Sequence, residues 1–370
     1  MAAVLRTPRI SPGQPMPPAR QPLPGSVRVM VIDDSLTVRT VFSRMIDREP
    51  DMAVVAQAAT AEQGLMTLRS TSVDVVLLDL EMPGMGGLEA LPAILATARG
   101  AQVLVVSSLT AEGAEASVSA LRMGAADTML KPLPNGFTDD YRGNLLARIR
   151  ALGGRSARPS AVPVSPQAPA PRPLARRPRV LAIGASTGGI HALNLFLRRL
   201  PAHFDLPILI TQHLPDNFMP VFARQMEDAA RRETVLAGDE VAIRSRRIVI
   251  APGHAHLIVR RKGSEMVTAL AHYRATTGCC PSVDPMFASL ADVYDGEVAG
   301  VLLSGMGRDG TEGAERIVAA GGGVYAQDEA SCAVWGMPRA IAESGLASAI
   351  CPPGELADRV AAAAGGHPWR

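Results

Sequence analysis

Short apolar runs alternate with amphipathic stretches across residues 27–150. Stretches with helical spacing lie at residues 36–48, 61–69 and 88–98. They separate five runs rich in Val, Leu and Ile, which read VRVMVID, MAVVAQA, VDVVLLD, QVLVVSS and DTMLK. Strands that are apolar on both faces and alternate with helices predict a parallel sheet covered by helices on two sides.

The same alternation returns in the second half of the chain. Its clearest strands are RVLAIGA, LPILITQH, RIVIAPG and VAGVLLSG, and helices are predicted at residues 193–200, 219–232, 286–294 and 310–320. The runs HLIVRR and EMVTALA flank a turn at Lys262-Gly263, which predicts an antiparallel pair and therefore a mixed sheet. Both domains are predicted to be α/β.

Two proline-rich stretches interrupt these patterns. Residues 1–26 and 151–178 each contain seven prolines, and the second also has five arginines and no acidic residue. Such segments bury little apolar surface and stay extended and solvated. The chain is therefore predicted to have a leader (1–26), a first domain (27–150), a linker (151–178) and a second domain (179–365). A plain linker is favoured over a segment whose arginines bind an acidic partner.

Composition narrows the classes of function. In 370 residues the formal net charge is +2, which argues against a protein that binds nucleic acid through its overall charge. No stretch reaches the roughly 18–20 consecutive apolar residues of a membrane span, and the leader lacks the apolar core of a secretory signal. The four cysteines form no C-x-x-C pattern, and the adjacent pair Cys279-Cys280 is poorly spaced for zinc. We therefore expect a cytoplasmic protein with free thiols, no nucleic-acid partner and no membrane insertion.

Charged side chains close the strands of the first domain. Asp33 and Asp34 follow the first strand, Asp79 the third and Lys131 the fifth. The C-terminal ends of parallel strands share one edge, where ligands bind, and clustered carboxylates there favour a hard cation such as Mg²⁺. A carboxylate at such a site can attack a phosphoryl donor. Lys131 would then neutralise phosphoryl oxygens, and Ser107, at the end of the fourth strand, would hydrogen-bond one of them.

The motifs D-D, L-D-L-E-M-P-G-M-G-G, S-S and K-P, each at the end of its own strand, resemble those of response-regulator receiver domains. The resemblance implies a flavodoxin-like fold with a five-stranded parallel sheet. It also implies that a histidine kinase supplies the phosphoryl group and that Asp79 accepts it. The implied Mg²⁺ ligands are Asp34, Asp79 and the Glu81 carbonyl, with Asp33 assisting.

A glycine-rich turn follows the first strand of the second domain. In RVLAIGASTGGIHALNLFLRRL the segment Gly184-Ala185-Ser186-Thr187-Gly188 fits the G-x-S-x-G pattern between a strand and a helix. The turn presents the Ser186 hydroxyl at the sheet edge, and N–H groups of the next helix can bind an oxyanion. A nucleotide-binding loop would need an acidic residue at the end of the next strand, but LPILITQH ends in His213. A purely structural turn is left open.

A histidine and an aspartate at other strand ends complete a predicted catalytic triad. His213 ends the strand beside that of Ser186, and His254 and His256 are second choices. Asp309 lies in the glycine-rich loop after VAGVLLSG, a place that also suits a helix N-cap. In this scheme the serine attacks an acyl carbon, the histidine transfers the proton and the aspartate orients the imidazole. The order Ser, His, Asp differs from that of the α/β-hydrolases, which predicts another fold.

The second domain resembles the catalytic domain of the chemotaxis protein-glutamate methylesterase family. The resemblance covers residues 179–365 and rests on IGASTGG, TQHLP, IVIAPGHAHL, PSVDPMF, LLSGMGRDG and AQDEASCAVWGMP. It implies a Rossmann-like fold and the triad Ser186, His213 and Asp309, with Thr187 and Met306 near the oxyanion site and no esterase cofactor. The implied substrate is a methyl-accepting chemoreceptor, whose glutamyl methyl esters are hydrolysed to release methanol and whose glutamines are deamidated.

Three positions are compared with the patterns that are usual in the receiver and esterase families. Lys131-Pro132 matches a receiver motif in which a cis peptide is usual. Thr128 stands where receivers often carry an aromatic residue that takes part in the switch. Cys279-Cys280 stands where an arginine-type residue often precedes PSVD in the esterases, which leaves the binding of acidic receptor helices open.

A flexible linker between a phosphorylatable domain and an esterase suggests a switch. The hypothesis is that the unphosphorylated receiver covers the esterase site and that phosphorylation at Asp79 loosens this contact. Three other classes stay open: a receiver joined to a non-catalytic signalling module, a nucleotide-dependent oxidoreductase, and a phospho-regulated DNA binder, for which no basic recognition helix is visible. The same esterase chemistry is also compatible with a sensory pathway other than chemotaxis.

Overall fold

Two α/β domains make up the computed structural model, which describes residues 23–108, 110–132, 136–154 and 176–365. The fold class predicted for both domains is confirmed. Most of the predicted leader (1–26) and linker (151–178) lies outside the described residues, so these boundaries stay predictions.

The first domain is a five-stranded parallel sheet in the order β2-β1-β3-β4-β5. Its strands are β1 Val27–Ile32, β2 Met52–Ala58, β3 Val75–Asp79, β4 Gln102–Ser107 and β5 Asp127–Leu130. Its helices are α1 Leu36–Ile46, α2 Ala61–Ser70, α3 Gly87–Thr97, α4 Ala111–Met123 and α5 Asp139–Gly153. Apolar side chains pack beneath α2, α3 and α4 on one face and beneath α1 and α5 on the other. Helix α5 passes the predicted boundary at residue 150 because Leu152 is buried in this core.

The second domain contains a seven-stranded sheet in the order β14-β13-β12-β6-β7-β9-β8. Its strands are β6 Val180–Ala185, β7 Ile208–Gln212, β8 Thr234–Leu236, β9 Ile248–Ile250, β12 Val298–Leu302, β13 Gly323–Gln327 and β14 Ala347–Cys351. Its helices are α6 Gly189–Arg199, α7 Met219–Ala230, α8 Val283–Val293, α9 Thr311–Ala319, α10 Met337–Glu343 and α11 Pro353–Ala363, and a 3-10 turn spans Asp216–Phe218.

An antiparallel hairpin stands apart from this sheet. Its strands are β10 His256–Lys262 and β11 Glu265–Ala271, in which Lys262 pairs with Glu265. The expectation of a mixed sheet was wrong, because all pairings within the seven-stranded sheet are parallel. The apolar side chains of β10 pack against α8 instead, and Val259 N donates to Ser289 Oγ of that helix. Helix α8 also packs against β6, β7 and β12, so the hairpin contacts the sheet through this helix and does not extend it.

Helix α7 spans Met219–Ala230, within the helix predicted at residues 219–232. Phe222 and Met226 on this helix are fully buried and belong to the core beneath the sheet. An amphipathic helix whose apolar face covers a sheet is serving the fold. Its position gives no support to a DNA-binding function.

Two further expectations concern the backbone and the membrane. The cis peptide implied at Lys131-Pro132 was wrong; among the described residues the cis bond is Cys280-Pro281. Within the described ranges, no helix combines the length and the apolarity that crossing a bilayer requires.

Candidate active site

Ser186, His213 and Asp309 lie at the C-terminal ends of three adjacent strands. Strand β6 lies between β7 and β12 in the sheet, so the residues that follow these strands meet at one edge. Ser186 directly follows β6, and His213 directly follows β7. Asp309 lies at the end of the loop after β12, just before α9 begins.

The three side chains form a continuous series of hydrogen bonds. Nδ1 of His213 lies 3.2 Å from Oγ of Ser186, and Nε2 of His213 lies 2.7 Å from Oδ2 of Asp309. A neutral imidazole accepts at one nitrogen and donates at the other. His213 can therefore take the serine proton at Nδ1 while Asp309 accepts a hydrogen bond from Nε2, which is the arrangement that acyl transfer needs.

Asp309 is held as a buried carboxylate. Only 1% of its surface is exposed. Its oxygens accept hydrogen bonds from Ser282 Oγ at 2.6 Å and from Val283 N at 2.7 Å, in addition to the contact with His213. Burial opposes the charge, but these donors and the neighbouring imidazole outweigh it and hold the pKa of Asp309 well below its usual range. The carboxylate is therefore ionised and fixed in orientation.

His213 is the titratable group at the centre of the site. Burial disfavours its imidazolium form, but the hydrogen bond to Asp309 and the neighbouring Cys279 thiol outweigh burial and raise the pKa of His213 to about 9. Its side chain keeps 17% exposure, so solvent reaches it. At neutral pH the resting imidazole is therefore mostly protonated, and the basic form increases as the pH rises.

Close packing of two loops explains the glycines around Ser186. Gly188 has a φ of +77°, and a Cβ there would lie 2.6 Å from Oγ of Ser304, in the loop after β12. A Cβ at Gly305, in the loop after β12, would lie 2.8 Å from Cβ of Ser186. A side chain at either position would push the loops apart. The glycines thus let the nucleophile loop and the loop that leads to Asp309 approach each other.

Several polar residues around the triad were missed from the sequence. Gln212 Nε2 donates to the backbone oxygen of Ser186 at 3.0 Å, and Ser282 binds Asp309 as described. Asp284, in the first turn of α8, is close to Asp309, and burial together with this like charge raises the pKa of Asp284 to about 7. Ser282 and Asp284 belong to the motif PSVDPMF. The direction in which these two side chains point depends on where α8 packs, and no local sequence pattern specifies that position.

The two residues expected near the oxyanion site have different surroundings. Met306 is 40% exposed in the loop after β12. Thr187 is buried, and its hydroxyl donates to Oδ2 of Asp127 in the first domain at 2.6 Å. The neighbouring Gly188 N donates to the backbone oxygen of Ala126, also in the first domain. Polar groups directly beside the nucleophile are thus engaged by the first domain.

The contact between the domains is centred on helix α4. This helix packs against α6, α7 and the 3-10 turn. Nδ1 of His191 lies 3.5 Å from the backbone oxygen of Arg122, at the C-terminal end of α4. Arg224 and Glu115 form an ion pair of 2.6 Å at the exposed rim, and Val334 packs into the core of the first domain. The first domain therefore adjoins the turn that carries Ser186.

The two alternative histidines are engaged elsewhere. His256 is buried; its Nε2 contacts the backbone oxygen of Tyr273 at 2.7 Å, and its Nδ1 accepts from Ser282 N at 3.0 Å. His254 is exposed and pairs with Asp216 at 2.9 Å. Both rings therefore have structural partners, and His213 is the histidine that the fold brings to Ser186.

The predicted carboxylate pocket forms at the edge of the first sheet. One oxygen each from Asp33, Asp34 and Asp79 lies within 4.8 Å of the other two. Lys131 Nζ donates to Asp79 Oδ2 at 2.6 Å, and burial raises the pKa of Asp79 to about 6. Among the described residues Asp33 Oδ2 accepts no hydrogen bond, and Lys131 Nζ lies 3.6 Å from it. Three clustered carboxylates beside a single lysine fit a hard divalent cation such as Mg²⁺.

Other predicted receiver residues lie around this pocket. Ser107 ends β4 at the same edge and is buried, and its hydroxyl accepts a hydrogen bond from Ser117 at 2.6 Å. Its own proton is the group left to donate to a phosphoryl oxygen. Glu81 N donates to Asp79 Oδ1 at 3.0 Å, which orients the predicted acceptor. Thr128, which stands where an aromatic ring was expected, is buried, and its hydroxyl has no hydrogen-bond partner within the part of the chain that the structure describes.

Family models match both domains. The model described as CheB methylesterase matches residues 181–360, and the model described as response regulator receiver domain matches residues 29–136. A protein from Nitrobacter hamburgensis named protein-glutamate methylesterase/protein-glutamine glutaminase is 39% identical over 355 residues, which cover 90% of this chain and 93% of the relative. A Caulobacter vibrioides protein with the same name and the number 2 is 41% identical over 349 residues, or 91% of this chain and 99% of the relative.

Two solved structures from Thermotoga maritima are similar to parts of this chain. The CheB methylesterase catalytic domain is 30% identical, with a TM-score of 0.48, and the match covers 50% of this chain and 97% of the solved chain. The response regulator domain of CheB is 38% identical, with a TM-score of 0.31, and the match covers 34% of this chain and 94% of the solved chain.

Proposed function

The chain belongs to the CheB methylesterase family, and we propose that Ser186, His213 and Asp309 hydrolyse glutamyl methyl esters on a methyl-accepting chemoreceptor. The chain is a protein-glutamate methylesterase and protein-glutamine glutaminase with a receiver domain. One observation carries the assignment of residues: the hydrogen-bonded series from Ser186 Oγ through His213 to the buried Asp309.

The reaction follows from the geometry of these three side chains. Ser186 Oγ attacks the ester carbonyl carbon while His213 Nδ1 takes the hydroxyl proton, and Asp309 stabilises the imidazolium. The tetrahedral oxyanion collapses, the C–O bond to the methoxy group breaks, and His213 gives its proton to form methanol. A water molecule then attacks the acyl-serine with His213 as the base, which releases the glutamate carboxylate and restores Ser186. A glutamine side chain reacts in the same way with ammonia as the leaving group.

Backbone N–H groups at the start of α6 are the candidate oxyanion donors. They lie beside Ser186, at the end of the helix where the dipole favours negative charge. Gly188 N and the Thr187 hydroxyl, however, are bonded to Ala126 and Asp127 of the receiver. Substrate access beside Ser186 would therefore require the receiver to withdraw.

Phosphorylation of Asp79 by a histidine kinase would control this withdrawal. Asp33, Asp34 and Asp79 would hold Mg²⁺, which shields the charge of the phosphoryl group. Helix α4 supports the coupling because it starts just after β4, beside the Asp79 pocket, and ends close to Asp127 at the domain contact. A charge change at one end of this helix can thus bias the packing at its other end.

Methanol release from a methylated chemoreceptor tests the proposed activity. The full chain should produce methanol and free glutamate carboxylates in equal amounts. Absence of both products, with a phosphodonor present and with the protein folded, would contradict the proposal.

Asp127→Ala is expected to raise the basal esterase rate of the unphosphorylated full chain by about 10-fold or more. The substitution removes the acceptor of the Thr187 hydroxyl, and hydrogen bonds to charged groups contribute about 1.5–3 kcal/mol. The measurement is methanol release without a phosphodonor. Glu115→Ala is the matched control, because Glu115 lies in the same interface but is 63% exposed and should contribute little. An unchanged basal rate in Asp127→Ala would contradict the proposed role of this contact.

The pH dependence of kcat/KM is expected to follow the basic form of His213. Since its pKa is raised to about 9, the fraction able to accept a proton increases with pH up to that value. The measurement is initial hydrolysis rates at constant ionic strength between neutral pH and pH about 10. Cys279→Ser removes one cause of the raised pKa and should move the midpoint to lower pH. A wild-type profile already flat above pH ~7 would be the contrary result.

A further inference from the structure

Cys279 lies beside the proposed triad, although its spacing in the sequence gave no such indication. Among the described residues, one ligand atom each from His213, Cys279 and Asp309 lies within 4.8 Å of the other two. The cysteine is a free, half-buried thiol in the segment before α8. The expectation that Cys279-Cys280 is poorly spaced for zinc considered only neighbours in sequence, whereas the fold brings a nitrogen and an oxygen ligand from two other loops.

We propose that His213, Cys279 and Asp309 bind a transition-metal ion of the Zn²⁺ class, and that the bound ion inhibits the esterase. Metal binding is independent of the proposed function, whereas inhibition rests on it. The ion would occupy the triad itself and would be a reversible ligand of the resting enzyme.

The ligand set and its charge suit zinc. One thiolate sulfur, one imidazole nitrogen and one carboxylate oxygen are the three ligand types that Zn²⁺ takes in proteins, at about 2.0–2.3 Å. Thiolate and carboxylate together balance the charge of the ion, and water can fill the fourth tetrahedral position. Ligands at these bond lengths are separated by about 3.3–3.8 Å. The Nε2–Oδ2 distance of 2.7 Å would therefore lengthen by about 1 Å or less as the ion replaces the shared proton.

Outer contacts hold two of the ligands in position. Ser282 Oγ and Val283 N both donate to the Asp309 carboxylate. Thr277 Oγ1 donates to Asp309 Oδ1 at 3.3 Å and accepts from Cys279 N at 3.5 Å, which ties the cysteine segment to the aspartate. Contacts of this kind orient metal ligands and increase metal affinity. The cluster is thus supported before an ion arrives.

The two clusters in this chain should prefer different ions. Asp33, Asp34 and Asp79 offer only oxygen ligands, which suit hard ions such as Mg²⁺. The cluster with Cys279 contains sulfur and nitrogen, which suit Zn²⁺ or Co²⁺ and not Mg²⁺. Mg²⁺ at the concentrations that support phosphorylation should therefore leave the esterase site free.

Inhibition follows from the atoms that the ion would occupy. The metal would take Nε2 of His213 and an oxygen of Asp309, and the Nε2 proton and the thiol proton would pass to solvent. This breaks the hydrogen bond that orients the imidazole. A neutral imidazole that donates its Nε2 electron pair to a cation carries its one proton on Nδ1, so it has no electron pair there to accept the Ser186 proton.

Co²⁺ absorption of the full chain tests the binding site directly. Binding at Cys279 should give a thiolate-to-cobalt charge-transfer band, which cobalt bound to the receiver carboxylates cannot produce. Cys279→Ser should lose this band, and competition with a chromophoric chelator should show Zn²⁺ affinity at least about 10–100-fold weaker. Cys280→Ser is the matched control and should keep both the band and the affinity. No band in wild type, or the same band in Cys279→Ser, would overturn the proposal.

Methanol release in the presence of Zn²⁺ tests inhibition. The wild-type rate should fall with Zn²⁺ and return when a chelator is added, and Cys279→Ser, compared with its own metal-free rate, should need at least about 10–100-fold more Zn²⁺. Equal sensitivity of the two proteins would overturn the inhibitory role. If the chain hydrolyses the ester but binds no metal, only the metal site is rejected. If the chain binds the metal but has no esterase activity in its absence, only the proposed function is rejected.

Discussion

Ser186→Ala is expected to lower kcat/KM for methyl ester hydrolysis by about 10⁴–10⁶-fold, because the serine oxygen forms the acyl bond. The hydroxyl hydrogen bond recorded for this side chain is the one to His213, so its removal should cost little stability. The measurement is the initial rate of methanol release from a methylated chemoreceptor by the purified full-length variant, together with its thermal unfolding.

Ser245→Ala is the matched control for this substitution. Ser245 is exposed and donates to the backbone oxygen of Asp205, just before β9 and therefore at the edge of the sheet opposite to Ser186. The rate of methanol release by Ser245→Ala should stay close to that of the wild type. Turnover of Ser186→Ala at the wild-type rate would place the nucleophile elsewhere.

Asp309→Asn is expected to lower kcat by about 10⁴-fold, with a smaller effect on KM. A carboxylate only accepts hydrogen bonds, and in the structure it accepts from Ser282 Oγ and Val283 N and contacts His213 Nε2. Oδ2 contacts both His213 Nε2 and Val283 N, whereas Oδ1 accepts from Ser282 Oγ, so an asparagine must turn its NH₂ group either toward the first two groups or toward Ser282 Oγ. If it faces Nε2, the imidazole proton moves to Nδ1, which then cannot accept the proton of Ser186.

The same substitution should also lower the free energy of unfolding. When the new NH₂ group takes the place of Oδ2, it faces Val283 N as well as Nε2, so a buried backbone N–H also loses its acceptor, at a cost of about 1–3 kcal/mol. Denaturant unfolding measures this change separately from kcat. Asp292→Asn is the matched control, because Asp292 forms an exposed ion pair with Arg316 and should leave both quantities nearly unchanged. A kcat within 10-fold of wild type in Asp309→Asn would contradict the role of this carboxylate.

The strand ends were predictable from sequence because of how parallel sheets are built. Buried parallel strands are apolar on both faces, so each one is visible as a short run of valine, leucine and isoleucine. Polar residues at the end of such a run necessarily lie at the ligand-binding edge. This reasoning reached Asp79 and Lys131 in one domain and Ser186, His213 and Asp309 in the other, without any knowledge of side-chain packing.

The position of the hairpin relative to the main sheet was not predictable from the sequence. The alternation in β10 and β11 predicts their pairing, since strand period and turn are local properties. Whether the hairpin then joins the main sheet depends on what covers its apolar face, and here α8 does. Such a choice depends on packing between distant segments.

Contacts between distant segments also account for what was missed at the site. Cys279 approaches His213 only because the segment before α8 passes over the end of β7. Thr187 meets Asp127 only because the receiver packs on the second domain in one orientation. No periodicity or spacing within a single segment predicts these contacts between distant segments.

We propose that the receiver restrains a Ser186 esterase until Asp79 is phosphorylated. The most direct measurement is methanol release from a methylated chemoreceptor by the full chain, with Mg²⁺ and with or without a small-molecule phosphodonor, for wild type, Asp79→Asn and Ser186→Ala. We expect the phosphodonor to accelerate wild type, to leave Asp79→Asn at its basal rate and to leave Ser186→Ala at least about 10⁴-fold slower than wild type. Equal rates with and without phosphodonor in wild type, or acceleration that persists in Asp79→Asn, would contradict it.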